Sequence, residues 1–299
     1  MSLSPKHRGG SWLVTGATGM LGGAFVKRWA NHCVAMVHKQ SPLPCDSVHG
    51  ILAEPGSIAA AVRKVKPTIC FHFAACTNLA YCEQNPEYAE QINGNASAVI
   101  AEACATIGAR VVYMCTDSIF NGKEGNYAER DTPAPLNSYA RSKLSGERAT
   151  IAASHRNLSI RGNLFGTERN QFNVLKLYDW AVKKLRSQEP TTGFADVFFN
   201  PLCVETLSEI LGRIVQLDLP GGCWHVGTKE AVSKDQFIRL IAKSNGLCDA
   251  CVTSGLQDHL NLQPARPLNT TLQTLKIEAA GISMPTIESE LELLTKIHE

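Results

Sequence analysis

Tyr139 and Lys143 form a pair of side chains that could move a proton. They lie four residues apart, and residues at positions i and i+4 of a helix share one face. A phenol has a pKa near ~10, so it needs a nearby cation before it can exchange a proton at neutral pH. The segment Cys115-Thr116-Asp117 lies upstream of them. Tyr139 and Lys143 are therefore candidate catalytic residues.

A glycine-rich turn near the N-terminus could bind a phosphate-containing cofactor. An apolar strand leads into glycines at 16, 19 and 22, and an amphipathic helix follows. Glycine allows a tight turn and the close approach of a pyrophosphate, which then rests on the positive end of the helix. The predicted cofactor-binding residues of this turn are Gly16, Thr18, Gly19, Met20, Leu21 and Gly22.

The composition is that of an ordinary soluble, enzyme-like protein, with 44% hydrophobic and 19% charged residues in a chain of 299. The net charge of +2, without a cluster of basic and aromatic residues, argues against nucleic acid as a partner. No apolar run approaches the ~20 residues of a membrane span, so no membrane partner is expected. Eleven cysteines without a secretory signal predict reduced thiols and a cytoplasmic location.

Cys248 and Cys251 have the spacing of a redox or metal motif. The sequence places no second Cys or His pair near them, and a structural zinc site needs four ligands. We therefore predict no metal site.

The alternation of apolar runs and helical patterns predicts an α/β fold with a doubly wound parallel sheet. Predicted strands cover 11–15, 33–37, 69–74, 110–115 and 157–161, and predicted helices cover 20–31, 57–65, 84–107 and 135–153. Further helices are predicted at 174–186, 204–216 and 286–298, with another from the capping box Ser233-x-x-Gln236 to about 244, and a short strand at 223–226. In such a sheet, ligands bind at the carboxyl ends of the strands.

Five sequence blocks occur in an order that resembles a known family. They are Gly16-x-x-Gly19-x-x-Gly22, Ala74-Ala75-Cys76-Thr77, Cys115-Thr116-Asp117-Ser118-Ile119-Phe120-Asn121-Gly122, Tyr139-x-x-x-Lys143-Leu144-x-Gly146-Glu147 and Arg266-Pro267-Leu268-Asn269-Thr270. Together they resemble the extended short-chain dehydrogenase/reductases, and more closely the dTDP-4-dehydrorhamnose reductases. The resemblance implies a Rossmann domain for NADP (1–160, with 198–228 returning to it) and a smaller C-terminal α/β substrate-binding part (161–197 and 229–299).

The resemblance also implies a role for each residue of these blocks. Hydride passes from the nicotinamide to a sugar carbonyl carbon, and Tyr139 protonates the resulting alkoxide. Lys143 stabilises the tyrosinate and anchors the nicotinamide ribose, and Thr116 positions the reacting oxygen. Implied cofactor contacts are Phe73, Ala74, Ala75, Cys115, Tyr139 and Lys143. Implied substrate contacts are Thr77, Asp117, Ser118, Asn163 and Arg266.

The end of the second predicted strand bears on the choice of cofactor. An acidic residue there would accept the ribose hydroxyls of NAD and repel a 2′-phosphate. The strand ends instead in His38-Lys39-Gln40, without a carboxylate. His38 and Lys39 therefore favour NADP(H) over NAD(H), with Lys39 as the main cation.

These observations predict an NADPH-dependent reduction of the keto group of a nucleotide-linked 4-keto-6-deoxy sugar. One alternative is a non-catalytic, NADP-binding regulatory subunit, like the beta subunit of methionine adenosyltransferase. Another is a nucleotide-sugar epimerase. Dehydratases of this fold carry Thr-Asp-Glu, whereas this chain has Ser118 in place of the glutamate, so the base for eliminating water is missing. The nucleotide base, the sugar and a homodimeric assembly remain open.

Overall fold

The computed structural model describes residues 11–167, 177–257, 260 and 262–298 of the chain. Its strands are β1 (Trp12–Thr15), β2 (Cys33–Val37), β3 (Asp46–His49), β4 (Ile69–His72), β5 (Arg110–Met114), β6 (Leu158–Arg161), β7 (Leu164–Phe165), β8 (Thr191–Phe194), β9 (Phe198–Phe199), β10 (Leu202–Cys203), β11 (Gly222–His225), β12 (Val232–Ser233) and β13 (Val252–Gly255). Its helices are α1 (Met20–Arg28), α2 (Pro55–Val65), α3 (Leu79–Gln84), α4 (Pro86–Ala89), α5 (Ala96–Ala105), α6 (Ser138–Ala153), α7 (Leu177–Ser187), α8 (Val204–Gln216), α9 (Lys234–Ser244), α10 (Leu275–Ala279) and α11 (Ile287–His298). A π-helical segment, Glu90–Asn95, leads into α5.

A seven-stranded parallel sheet lies at the centre, in the order β11-β6-β5-β4-β1-β2-β3. The chain proceeds outward from β1 to β3 and then crosses to β4 on the other side of β1. This reversal creates a crevice between the carboxyl ends of β1 and β4, where doubly wound sheets bind their ligands. The predicted fold class is confirmed.

Both faces of the sheet are covered by helices. One face packs against α1 and α8 through a core that includes Phe25, Phe71 and Leu211. The other packs against α2 and α5 through Ile58 and Ile100. Every residue of β1 and β5 is buried, which explains why these strands are recognisable as continuous apolar runs.

The C-terminal part builds a second core from α7, α9 and α11. Phe165, Phe199 and Phe237 meet there, and three two-stranded ladders surround them: β10–β7, β12–β9 and β13–β8. The capping box of α9 is present, because the Ser233 hydroxyl accepts from the Gln236 amide at 3.1 Å and the Gln236 side chain accepts from the Ser233 amide at 2.8 Å. Strand β11 returns to the large sheet and pairs with β6 at its edge. The division into two domains stays a prediction.

Several elements differ from the sequence prediction. The single helix expected over 84–107 is divided into α3, α4, the π-helical segment and α5, since Pro86 has no amide hydrogen to continue a helix through it. The short edge strand β3 was not predicted, because Asp46, Ser47 and His49 interrupt its apolar pattern. Of the helix expected at 174–186, residues 174–176 lie outside the described residues, and α7 covers the rest.

Candidate active site

The glycine-rich turn lies at the carboxyl end of β1, beside the crevice. Gly16 has a φ of +71°, and a Cβ there would lie 2.6 Å from the Ala74 amide nitrogen, so both conformation and space require glycine. A Cβ on Gly22 would collide with the Gly16 carbonyl. Gly19 is the N-cap of α1 and supplies no side-chain cap, so the first amides of the helix are left for another acceptor. The turn therefore has the form of a pyrophosphate cradle.

Thr18 and Gly19 are exposed in this turn, and Met20 is half-buried. Leu21 packs into the core, so it could reach a cofactor through its backbone amide alone. Phe73, Ala74 and Ala75 follow β4 on the opposite side of the crevice. The structure thus places these predicted cofactor-binding residues around one crevice.

Thr116 and Tyr139 meet beside the carboxyl end of β5. Thr116 lies two residues after that strand, and its side chain is close enough to the Tyr139 phenol to influence its ionisation. Burial raises the pKa of the Tyr139 phenol, while the neighbouring Thr116 hydroxyl lowers it in part. The phenol therefore carries its proton at neutral pH, as a proton donor must.

Lys143 lies one helical turn beyond Tyr139 and is buried. Its Nζ is 4.2 Å from the centroid of the Tyr113 ring, a cation–π contact that partly replaces water around the ammonium. Burial lowers the pKa of Lys143 to about 8, against the opposing charges of Cys115 and Glu147. Cys115 is itself buried, with its thiol directed at the Lys143 carbonyl at 3.8 Å.

The N-terminus of α6 is held by its own N-cap residue and by polar side chains from two other segments. The Asn137 side chain caps the helix by accepting from the Ala140 amide at 2.9 Å. Glu83 of α3 accepts from the Ser138 amide at 2.7 Å. Asn93, in the π-helical segment, donates to the Ser142 hydroxyl at 2.9 Å. These contacts fix the part of the helix that carries Tyr139, and π-helical turns are frequent at functional sites.

A buried ion pair joins the middle of α6 to the sheet. Arg161 of β6 donates to both carboxylate oxygens of Glu147, at 2.9 and 2.6 Å, and both side chains are at most 5% exposed. Burial opposes ionisation of Glu147, but Arg161 and Ser159 outweigh it and lower the carboxyl pKa. Glu147 belongs to the Tyr139–Glu147 block, so that block contains both reactive residues and the anchor of their helix.

His72 connects the end of β1 to the start of α5 through hydrogen bonds with Thr15 and Ser97. Ser97 donates its hydroxyl proton to the Asn93 carbonyl at 2.6 Å, so it must accept from His72 Nε2 at 2.9 Å. Nδ1 is then unprotonated and accepts from the Thr15 hydroxyl at 2.6 Å. Burial, followed by the charge of Lys143, lowers the pKa of His72 to about 3, so this neutral tautomer persists at physiological pH.

On the other side of the catalytic residues, four hydroxyl or amide groups surround the Asp117 carboxylate. Thr116 and Ser118 donate to Oδ1 at 3.1 and 3.2 Å. Asn163 and Thr270 donate to Oδ2 at 3.0 and 2.5 Å. The predicted substrate residues Asp117, Ser118 and Asn163 therefore lie together, and the structure adds Thr270 from the Arg266–Thr270 block.

Lys234, the first residue of α9, is a residue that the sequence analysis missed. Its Nζ lies 3.8 Å from the centroid of the Phe199 ring. Burial lowers the pKa of its ammonium to about 8, the charge of Asp117 opposes this shift, and Arg266 adds to it. Lys234 thus lies close enough to both Asp117 and Arg266 to interact with their charges. The sequence signal was an unexplained lysine inside a capping box.

The remaining predicted site residues lie at the surface. Arg266 and Thr77 are exposed. His38 and Lys39 are also exposed, directly after β2, and the His38 ring lies 6.3 Å from the ring of His49 on the neighbouring strand. In the described part of the chain, no three His, Cys, Asp or Glu side chains form a group that could hold a metal ion. The described helices are too short or too polar to cross a membrane.

The fold is that of the extended short-chain dehydrogenase/reductases. The chain belongs to the family described as RmlD substrate binding domain, which matches residues 11–298.

Three known proteins illustrate the range of its relatives. The probable low-salt glycan biosynthesis reductase Agl14 of Haloferax volcanii is 27% identical, over 94% of this chain and 96% of its own length. Methionine adenosyltransferase 2 subunit beta of Xenopus laevis is 32% identical, over 92% of this chain and 83% of its own. The dTDP-4-dehydrorhamnose reductase of Bacillus anthracis, solved in complex with NADP, superimposes with a TM-score of 0.83 at 23% identity, over 96% of this chain and 99% of that one.

Proposed function

We propose that this protein is an NADPH-dependent reductase of the keto group of a nucleotide-linked 4-keto-6-deoxy sugar. The observation that carries the proposal is the placement of Thr116 beside Tyr139 at the carboxyl edge of the sheet, with the buried Lys143 one helical turn away. A protonated phenol next to a second hydroxyl is suited to a developing alkoxide, because one group supplies the proton and the other orients the oxygen. The reductase of Haloferax volcanii adds support from a relative of similar length.

The crevice fits a dinucleotide. Positions 16 and 22 have no room for a side chain, and the α1 amides have no side-chain cap. When bound, NADPH supplies the hydride. The chain's own residues then have three tasks: Thr116 holds the substrate oxygen, Tyr139 donates a proton to it, and the Lys143 cation stabilises the phenolate left behind. The positive charge of Lys39 and the exposed imidazole of His38, directly after β2, favour the 2′-phosphate of NADP(H), as the sequence suggests.

On the substrate side, we assign the binding of the sugar to Asp117, Ser118 and Asn163, with Thr270 holding the Asp117 carboxylate in place. Lys234 and Arg266 are suited to the negative charge of the nucleotide diphosphate. Two cations at this point compensate for the buried carboxylate of Asp117 and leave a net positive charge for an anionic ligand. Thr77, exposed beside the crevice, is a further sugar contact in this proposal.

The test is NADPH oxidation, measured with a panel of nucleotide-linked 4-keto-6-deoxy sugars. Tyr139→Phe removes the donated proton and should lower turnover by about 10²- to 10⁴-fold, the usual size of general acid catalysis. Tyr88→Phe, at an exposed tyrosine, is the matched control and should retain full activity. Equal turnover in Tyr139→Phe and the unmodified protein would disprove the assignment.

A second candidate is an NADP(H)-binding subunit of a methionine adenosyltransferase. It is favoured by the 32% identity to the beta subunit of Xenopus laevis across most of both chains. Cofactor binding without turnover of any sugar, together with tight binding to a methionine adenosyltransferase catalytic chain, would establish this alternative. An epimerase would instead retain NAD through purification. We also propose a cytoplasmic location, in keeping with the eleven free thiols.

A further inference from the structure

Cys76 and Cys82 bring two thiols together beside the candidate active site. The Cys82 sulfur lies 3.6 Å from the Cys76 sulfur and 3.4 Å from the Cys76 carbonyl oxygen. Cys76 is half-buried in the segment after β4, whereas Cys82 is buried in α3. A disulfide needs a bond of about 2.05 Å, so the sulfurs must approach by a further ~1.5 Å. Side-chain rotation can provide a movement of that size.

Each thiol belongs to a segment that holds the N-terminus of α6. The backbone of Cys76 is clamped by Asn93, which accepts from its amide at 2.7 Å and donates to its carbonyl at 3.0 Å. The same Asn93 side chain donates to Ser142 of α6. Cys82 is followed by Glu83, which accepts from the Ser138 amide next to Tyr139. A bond between Cys76 and Cys82 would therefore affect the helix of Tyr139 through two sets of contacts, those of Asn93 and those of Glu83.

We propose that Cys76 and Cys82 are a dithiol that peroxide oxidises to a disulfide, and that this modification displaces Tyr139 and lowers activity. Cys76 reacts first, because it is the more exposed sulfur. Its sulfur attacks one oxygen of hydrogen peroxide, the O–O bond breaks, and a sulfenic acid and one water form. The Cys82 sulfur then attacks the Cys76 sulfur and displaces the hydroxyl, which leaves as a second water with the Cys82 proton. Two thiols are oxidised by two electrons, and one peroxide is reduced to two waters.

Burial and the neighbouring Cys76 thiol raise the pKa of Cys82 to about 12. Cys82 therefore stays protonated while free, which makes it the resolving thiol and not the first target. A second pair, Cys70 and Cys104, also lies in contact, but both thiols are fully buried. The thiols of this second pair are close to each other, but peroxide cannot reach them, so the pair serves as an internal control.

The modification itself is tested by peptide mapping. The full chain is treated with hydrogen peroxide, alkylated, and digested with chymotrypsin without reduction. Cleavage after Phe73 and Tyr81 separates the two cysteines, so a disulfide joins two peptides that otherwise run apart. After peroxide treatment, we expect this linked pair of peptides in the protein with the original sequence and in Cys104→Ala. We expect it to be absent in Cys82→Ala. Cys76 oxidised to sulfinic acid without any linked peptide would overturn the proposal.

The effect on activity rests on the proposed function, and it is read separately. We expect the oxidised protein to lose about 10- to 100-fold in turnover, since a misplacement of about 1 Å can cost that much, and dithiothreitol should restore it. Cys82→Ala should keep its turnover after the same treatment. A linked peptide with unchanged turnover would refute the coupling to Tyr139. If no keto sugar is reduced by the untreated protein, the proposed function fails, whereas the peptide map still decides whether the disulfide forms.

Discussion

The two sides of the crevice are built in different ways. What we propose as the cofactor side consists of the glycine-rich turn, Thr116, Tyr139 and Lys143, which are positioned by regular elements that adjoin the motifs themselves. What we propose as the substrate side consists of Asp117, Asn163, Lys234, Arg266 and Thr270. These residues come from loops and a helix start separated by up to 153 residues, the interval of the Asp117–Thr270 hydrogen bond. The first side is anchored to the sheet through the ion pair of Glu147 and Arg161. The second depends on long-range contacts, so we expect substrate preference to vary there.

The largest expected effect is on the anchor of the cofactor side. Glu147→Ala leaves Arg161 buried without its partner, which should lower the free energy of unfolding by about 3–5 kcal/mol. Urea unfolding followed by circular dichroism measures it. Glu102→Ala, at an exposed position of α5, is the control and should change little. Equal stability of the two variants would mean that α6 does not depend on this ion pair.

The second-largest expected effect concerns sugar binding and should leave cofactor binding unchanged. Lys234→Met keeps the apolar stem but removes the charge, and a hydrogen bond to a charged group contributes about 1.5–3 kcal/mol. We therefore expect KM for the nucleotide sugar to rise by about 10- to 100-fold, with the Kd for NADPH unchanged. Lys243→Met, at an exposed position of the same helix, should change neither. A loss of NADPH affinity in Lys234→Met would contradict the division into two sides.

The pH dependence of activity reports on the charge of Lys143. Its pKa is lowered to about 8, so the side chain is protonated below that pH and loses its charge as the pH rises through it. We expect kcat, measured at saturating sugar so that the binding role of Lys234 does not contribute, to be level below pH 8 and to fall above it by up to about tenfold per pH unit. In Lys143→Arg the residual activity should lack this decline, because a guanidinium stays charged. A decline at the same pH in this variant would assign it to another group.

The smallest effect is expected at the exposed end of β2. Lys39→Glu replaces the cation near the ribose with a carboxylate, and exposed charge pairs are weak because solvent screens them. The ratio of NADPH to NADH affinity should therefore fall by up to about fivefold. Lys66→Glu, an exposed lysine after α2, is the control. An unchanged ratio would place the determinant of cofactor preference elsewhere on the cofactor side.

The features that the sequence predicts correctly are those encoded locally, as on the cofactor side. Strand β2 and helix α8 lie where their patterns predicted them, because their apolar periodicity is local information. The division at Pro86 follows from a local signal that the prediction did not use, namely the missing amide hydrogen of proline. The π-helical segment, in contrast, packs against α6, and no local pattern reports that contact. Lys234 was not predicted for a similar reason. It contacts Phe199 and interacts with the charges of Asp117 and Arg266, and all three residues are distant from it in the sequence.

The amino-acid sequence by itself determined the parallel α/β architecture, the glycine-rich turn and the order of the reactive blocks, since each is encoded within a short stretch of chain. Only the tertiary structure decided which polar groups meet across segments. It pairs Arg161 with Glu147 in the interior, fixes the tautomer of His72, and places the sulfurs of Cys76 and Cys82 at 3.6 Å, whereas Cys248 is exposed despite the more familiar spacing of Cys248 and Cys251. The reason is physical: spacing along a chain limits which groups can meet, but burial and competing partners determine which of them do.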